Sequence, residues 1–147
     1  MFRHAMIEDM KKYSLIKKSM PYVIGRVVSL ESKIENRQGE EYDMLSEELS
    51  NWRKIRADSE EFIRDMDYCL SQLSHREEQS LRRFFIDRSR FYVEDLELEW
   101  NVERTTVYNV KNRALDKMTF MWYGYRKDDG YRNIRRTKRK ENQSRKK

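Results

Sequence analysis

Apolar residues recur along most of this chain at intervals of three and four, the period of an amphipathic helix. Met6, Met10, Tyr13 and Ile16 mark a first helix over residues 3–18. Pro21 is expected to stop that run and open the next helix at its first position, where a missing N–H is harmless. From there Val23, Val27, Leu30 and Ile34 form a stripe, and Gly39, closing Asn36-Arg37-Gln38-Gly39, marks a turn. The seam resumes as Tyr42, Leu45, Leu49 and Trp52, and a third piece carries Phe62, Met66, Leu70 and Leu73. Each stripe is narrow and flanked by charge. Residues 1–73 therefore read as a helical hairpin or small bundle, with a homodimer as one way to complete it. Core packing is the ordinary explanation of every apolar residue in these stripes.

Ser74-His75-Arg76-Glu77 matches a capping box, in which the Ser and Glu side chains satisfy each other's free backbone N–H groups. A domain seam is expected here, and three helices follow. The first, over 75–88, supplies Leu81, Phe84 and Phe85; the second, over 93–100, supplies Val93, Leu96 and Trp100. Asn101-Val102 makes the turn, since Asn tolerates a left-handed backbone better than other non-glycine residues. The third helix, over 104–118, buries Val107, Val110, Ala114, Leu115 and Met118. Leu96, Leu98, Trp100 and Val102 also alternate with period two, which leaves a strand as the alternative for that segment. The fold class is all-α.

Charge changes the picture more than composition does. The chain has 147 residues, a net charge of +6 and a mean hydropathy of −1.08. Residues 125–147 hold 11 Lys/Arg against three acids, leaving 21 basic and 23 acidic residues before them. The basic balance thus belongs to the C-terminal stretch, read as a flexible tail that suits a polyanion or simply solubilises the chain. No apolar run approaches a membrane span, and no signal-peptide core is evident, so a cytoplasmic location is expected, in a bacterium or a phage-infected host. Cys69 is the lone cysteine, so no internal disulfide or thiolate cluster can form.

The third helix turns a second face outward, carrying Arg104, Thr105, Tyr108, Asn109, Lys111 and Asn112. Residues 104–115 contain no acid. Asn can read an adenine edge bidentately, Arg and Lys read guanine or hold phosphate, and Thr touches the thymine methyl. The ordinary alternative is a solvated polar face. Leu81-Arg82-Arg83-Phe84-Phe85, Glu94-Asp95-Leu96, Trp100-Asn101-Val102, Arg104-x-Thr106-Val107 and Arg113-Ala114-Leu115-x-Lys117-Met118 together resemble region 4 of bacterial sigma factors. The ending Ala114-Leu115-Asp116-Lys117-Met118, followed by Trp122-Tyr123-Gly124, also resembles ArpU-type phage transcriptional regulators and their RinA-like relatives.

That resemblance covers about 50 residues and implies a sigma-like helix-turn-helix in residues 74–124, behind an irregular helical N-terminal region. It implies activation of phage late or packaging genes by binding near a promoter. Three features depart from the pattern. Glu97 stands where the family has a small residue, and Tyr92 and Glu103 stand where Ser or Thr caps the second and third helices, at ~1 kcal/mol per cap.

Arg104, Thr105, Tyr108, Asn109 and Asn112 are the expected base contacts. Arg82, Arg83, Arg88, Lys111 and Arg113 are the expected phosphate contacts, together with Arg132, Arg135, Arg136, Lys138, Arg139 and Lys140 of the tail. Residues 74–124 hold nine basic and nine acidic residues, so affinity would lean on the tail and fall steeply with salt. No catalytic constellation emerges. His4 and His75 are isolated, the four glycines are scattered, and pairs such as Glu40-Glu41, Glu47-Glu48 and Glu60-Glu61 sit in charged helices. A non-enzymatic regulator of double-stranded DNA, without metal or cofactor, is the expectation. The alternatives are a sigma-like protein that contacts RNA polymerase and an RNA-binding antiterminator that uses the Arg-rich tail.

Overall fold

The computed structural model describes residues 2–124. The expectations for residues 125–147, including the tail's phosphate contacts, lie outside the described residues. Every element among the described residues is helical: α1 (Phe2–Ile34), α2 (Gly39–Ser71), α3 (His75–Leu81), α4 (Tyr92–Trp100) and α5 (Arg104–Tyr123), with a π-helical turn over Arg82–Ile86 between α3 and α4. No helix among them is long and apolar enough to cross a membrane.

Pro21 lies inside α1 and does not begin a new helix, contrary to the sequence expectation. A proline in a helix interior removes one hydrogen bond and crowds the preceding turn, at ~3 kcal/mol. Here the apolar stripe keeps its phase across it. Tyr13 and Val23 are buried on either side, Met20 is half-buried, and Val27 and Leu30 continue the same face. Burial on both sides of the proline outweighs the local defect. The second and third pieces of the expected seam are likewise one helix, α2, which enters through Gly39 at φ +69°, the left-handed region that glycine occupies freely.

The chain divides into two compact units. Lys11–Tyr68 form a hairpin of the α1 and α2 segments, with Val27, Leu30 and Leu49 at its core and Ile34, Leu45 and Trp52 packed on them. Tyr13 donates its hydroxyl to Asp67, and Arg26 pairs with Glu48 at 2.6 Å while lying over the Trp52 ring. The other unit joins residues 2–10 to residues 69–124. The seam expected at Ser74 does not coincide with the edge of this unit, which also takes in residues 2–10 and 69–73.

Its construction starts at the Ser74 capping box, which forms as the sequence predicts. The Ser74 N–H donates to Glu77 Oε1 at 3.0 Å, and the Glu77 N–H donates to Ser74 Oγ at 3.3 Å. α3 then gives way to the π-helical turn, closed by the Asp87 N–H donating to the Arg82 carbonyl. An α-helix carried on to residue 88 would point residues 81 and 86 in different directions. The wider turn, with its i→i+5 bonding, lets Leu81, Phe84 and Ile86 all be buried. Phe85, expected inside, is half-buried.

α4 buries Val93, Leu96 and Trp100, so the strand alternative for this segment does not hold. The Trp100 indole N–H donates to Gln79 at 2.8 Å, fixing α4 against α3. α3 packs chiefly on α5, and α4 packs on α5 through Val107 and Val110. The start of α1 closes the far end of α5. Met6 and Met10 are fully buried, Arg3 grips Asp116 through two bonds of 2.6 and 2.7 Å, and Asp9 accepts from both Trp122 Nε1 and the Tyr123 hydroxyl.

Candidate nucleic-acid interface

The outward face of α5 is set by what precedes it. Asn101 adopts φ +54° and ψ +54°, the left-handed conformation in which its short polar side chain is tolerated. Its N–H and that of Val102 return to the Leu98 and Glu97 carbonyls and end α4 sharply. α5 begins two residues later, behind Glu103, whose side chain makes no cap hydrogen bond. α4 starts behind Phe91, one residue earlier than the sequence pattern placed its cap, and that side chain cannot cap either.

With Val107, Val110, Ala114, Leu115 and Met118 turned inward, α5 presents Arg104, Thr105, Tyr108 and Asn109 to solvent, with Lys111 and Asn112 half-buried at the edge. These are the residues the sequence predicts on one face. Arg104 does not stand free. Its Nε donates to Glu97 and its terminal nitrogen to Glu94, both at 3.0 Å, and these partners hold the guanidinium above its usual pKa. The half-buried Glu97 carboxylate is thus directed at the first residue of α5 and ties α4 to it. Residues 94–103 hold five acids and no base, so the approach to the first turn of α5 is acidic.

The expected phosphate-binding residues are mostly engaged within the unit. Arg82 pairs with Glu78 at 3.1 Å and Arg83 with Glu99 at 2.8 Å. Arg113 stands 3.9 Å from Glu77, whose second cation, Lys117, is closer at 2.8 Å. Arg88 donates to the Tyr92 hydroxyl at 2.8 Å and lies over that ring. Lys111 sits over both Phe84 and Tyr108 at 5.4 Å, and burial, then the charge of Arg3, pulls its pKa below the usual lysine value.

The structure also gathers residues that the sequence reading did not single out. Arg90 lies 5.3 Å over Phe91, and Phe91 is 55% exposed. Phe84 joins the two sides of this cluster, 4.8 Å edge-on from Tyr92 and 5.7 Å from Tyr108. The run Arg88-Ser89-Arg90-Phe91-Tyr92, basic and aromatic residues interleaved, was the available signal. Glu94 and Glu97 gave none, because their pairing with Arg104 crosses the turn and follows no local spacing. No protein-family model matches the chain, and neither a curated protein nor a solved structure proves similar to it.

Proposed function

We propose that this chain is a non-enzymatic transcription regulator that binds duplex DNA through α5, in the manner of a sigma region-4 helix-turn-helix. The observation that supports this reading is the first half of α5: an exposed, acid-free face of Thr105, Tyr108 and Asn109, carried on a rigid helix with Val107 and Val110 locked beneath it. Asn112 extends that face by one turn, and Arg104 joins it by exchanging Glu94 and Glu97 for DNA. α5 would lie in the major groove with these residues against base edges, while Arg88, Lys111 and Arg113 hold phosphates and fix the register. The test is selection from a pool of randomised duplexes with the full chain. The reading predicts enrichment of a short common motif, and recovery of unrelated sequences contradicts it.

A second reading has one observation of its own. Leu98 is 82% exposed in the middle of the acidic stretch of α4, a surface that suits a basic protein partner. Contact with RNA polymerase is the form of that reading that matches the sequence resemblance. Capture of core polymerase in the absence of DNA, lost in Leu98→Glu, is its expected signature.

A further inference from the structure

We propose that the aromatic and cationic cluster at the entry to α4 binds an unpaired nucleic-acid strand, with bases stacking on Phe91 and Tyr108. The inference goes beyond duplex recognition and does not depend on it. Its residues are Arg88, Arg90, Phe91 and Tyr92 from the entry, and Tyr108 and Lys111 from α5.

Phe91 is the most exposed ring of the cluster. It stands at the position before α4 where a hydroxyl or carboxamide would satisfy a free backbone N–H, makes no such bond, and leaves its ring in solvent. Neither capping nor core packing accounts for it. Tyr108 is 38% exposed, and Phe84 links it to Tyr92, the residue that follows Phe91. Arg83 and Arg104 are held by carboxylates. Arg88, Arg90 and Lys111 instead lie over rings, and among the described residues no carboxylate pairs with them. Asp95 accepts from the Ser89 hydroxyl and faces Arg83, while Glu94 and Glu97 hold Arg104.

Exposed rings interleaved with cations match what a single strand offers, a phosphate backbone and bases whose π-faces are uncovered. A duplex hides those faces by stacking, so it can use the cations but not Phe91. Tyr108 and Lys111 belong to this surface and to the duplex-reading face of α5. The two forms of nucleic acid must therefore compete.

The experiment uses the full chain with labelled oligothymidylate and oligouridylate of roughly a dozen nucleotides, within the usual range of single-strand sites. Anisotropy reports binding and tyrosine fluorescence reports stacking. Binding of either strand with tyrosine quenching is expected, and a preference between them identifies the natural strand as DNA or RNA. Phe91→Ala should weaken binding by roughly 5- to 100-fold with an unchanged unfolding transition, and Phe91→Trp should restore it with quenching of the new indole. Absence of binding to both strands overturns the proposal. So does equal binding by wild type and Phe91→Ala, which would leave only the polyanion attraction of the basic C-terminal residues. A protein that binds single strands this way but selects no duplex motif contradicts the duplex reading and leaves this one standing; the reverse outcome separates them the other way.

Discussion

Glu77 ties the first turn of α3 to the middle of α5, and its replacement gives a measurable account of what holds the α5 platform in place. The residue is only 4% exposed. Burial works to raise its pKa, but the hydrogen bond from Lys117, the bonds from the Ser74 backbone and hydroxyl, and the Lys117 charge outweigh burial and leave it below the usual value near 4.5. Two contributions are separable. The capping interaction with Ser74 is worth ~1 kcal/mol. A hydrogen bond between charged partners is worth ~1.5–3 kcal/mol, and the half-exposed Lys117 ammonium places it at or below the lower end. Glu77→Ala should therefore lose ~2 kcal/mol, and Glu77→Gln, which keeps a cap acceptor but no charge, about half of that.

Urea unfolding followed by tryptophan fluorescence measures both, with the slope of stability against urea unchanged. The pH dependence checks the charge. A carboxylate whose folded pKa is depressed contributes its full stabilisation above the unfolded pKa, and that contribution is lost as pH falls through the folded value. The gap between wild type and Glu77→Gln should thus be constant from neutrality down to about pH 5, then shrink below about pH 4.5. A gap that persists unchanged to pH 2, or an alanine variant as stable as wild type, would refute the role given to this carboxylate.

Substitutions at three further positions examine the two units, each by itself. Met6→Ala should cost ~2–5 kcal/mol, because Met6 is fully buried in the α5-containing unit; a cost below ~1 kcal/mol in the same urea assay would mean that the first turns of α1 are not part of it. Pro21→Ala should stabilise the chain by up to ~3 kcal/mol, seen as a higher midpoint, since it restores a bond inside a continuous helix; destabilisation would show that α1 is interrupted there. Asn101→Gly should be close to neutral, whereas Asn101→Val should lose at least ~1 kcal/mol at φ +54°, and equal stability of the two would argue against a left-handed turn.

The parts of this architecture fixed by short-range chemistry are legible in the sequence. Ser74 and Glu77 cap α3, Asn101 takes the left-handed turn, and the stripe from Val107 to Met118 faces inward, because each depends on residues within a turn or two. Pro21 misled because its local cost is plain in the sequence, whereas the burial that overrides it is spread over Tyr13, Val23, Val27 and Leu30. That residues 2–10 join the α5-containing unit is not legible in the sequence, since Arg3 and Asp9 meet Asp116, Trp122 and Tyr123 more than a hundred residues away. Long-range partners of this kind leave no periodicity to read. The face of α5 was visible as a set of residues, but the electrostatic state of Arg104 was not: only the fold brings Glu94 and Glu97 to it.

The most direct measurement of the central claim compares wild type and Asn109→Ala on the selected duplex motif and on all its single-base-pair variants. A bidentate amide reading one adenine predicts a loss of ~1–3 kcal/mol of discrimination confined to one base pair, with preferences elsewhere unchanged. Uniform weakening across every variant, or no change at any position, would contradict the placement of α5 against base edges.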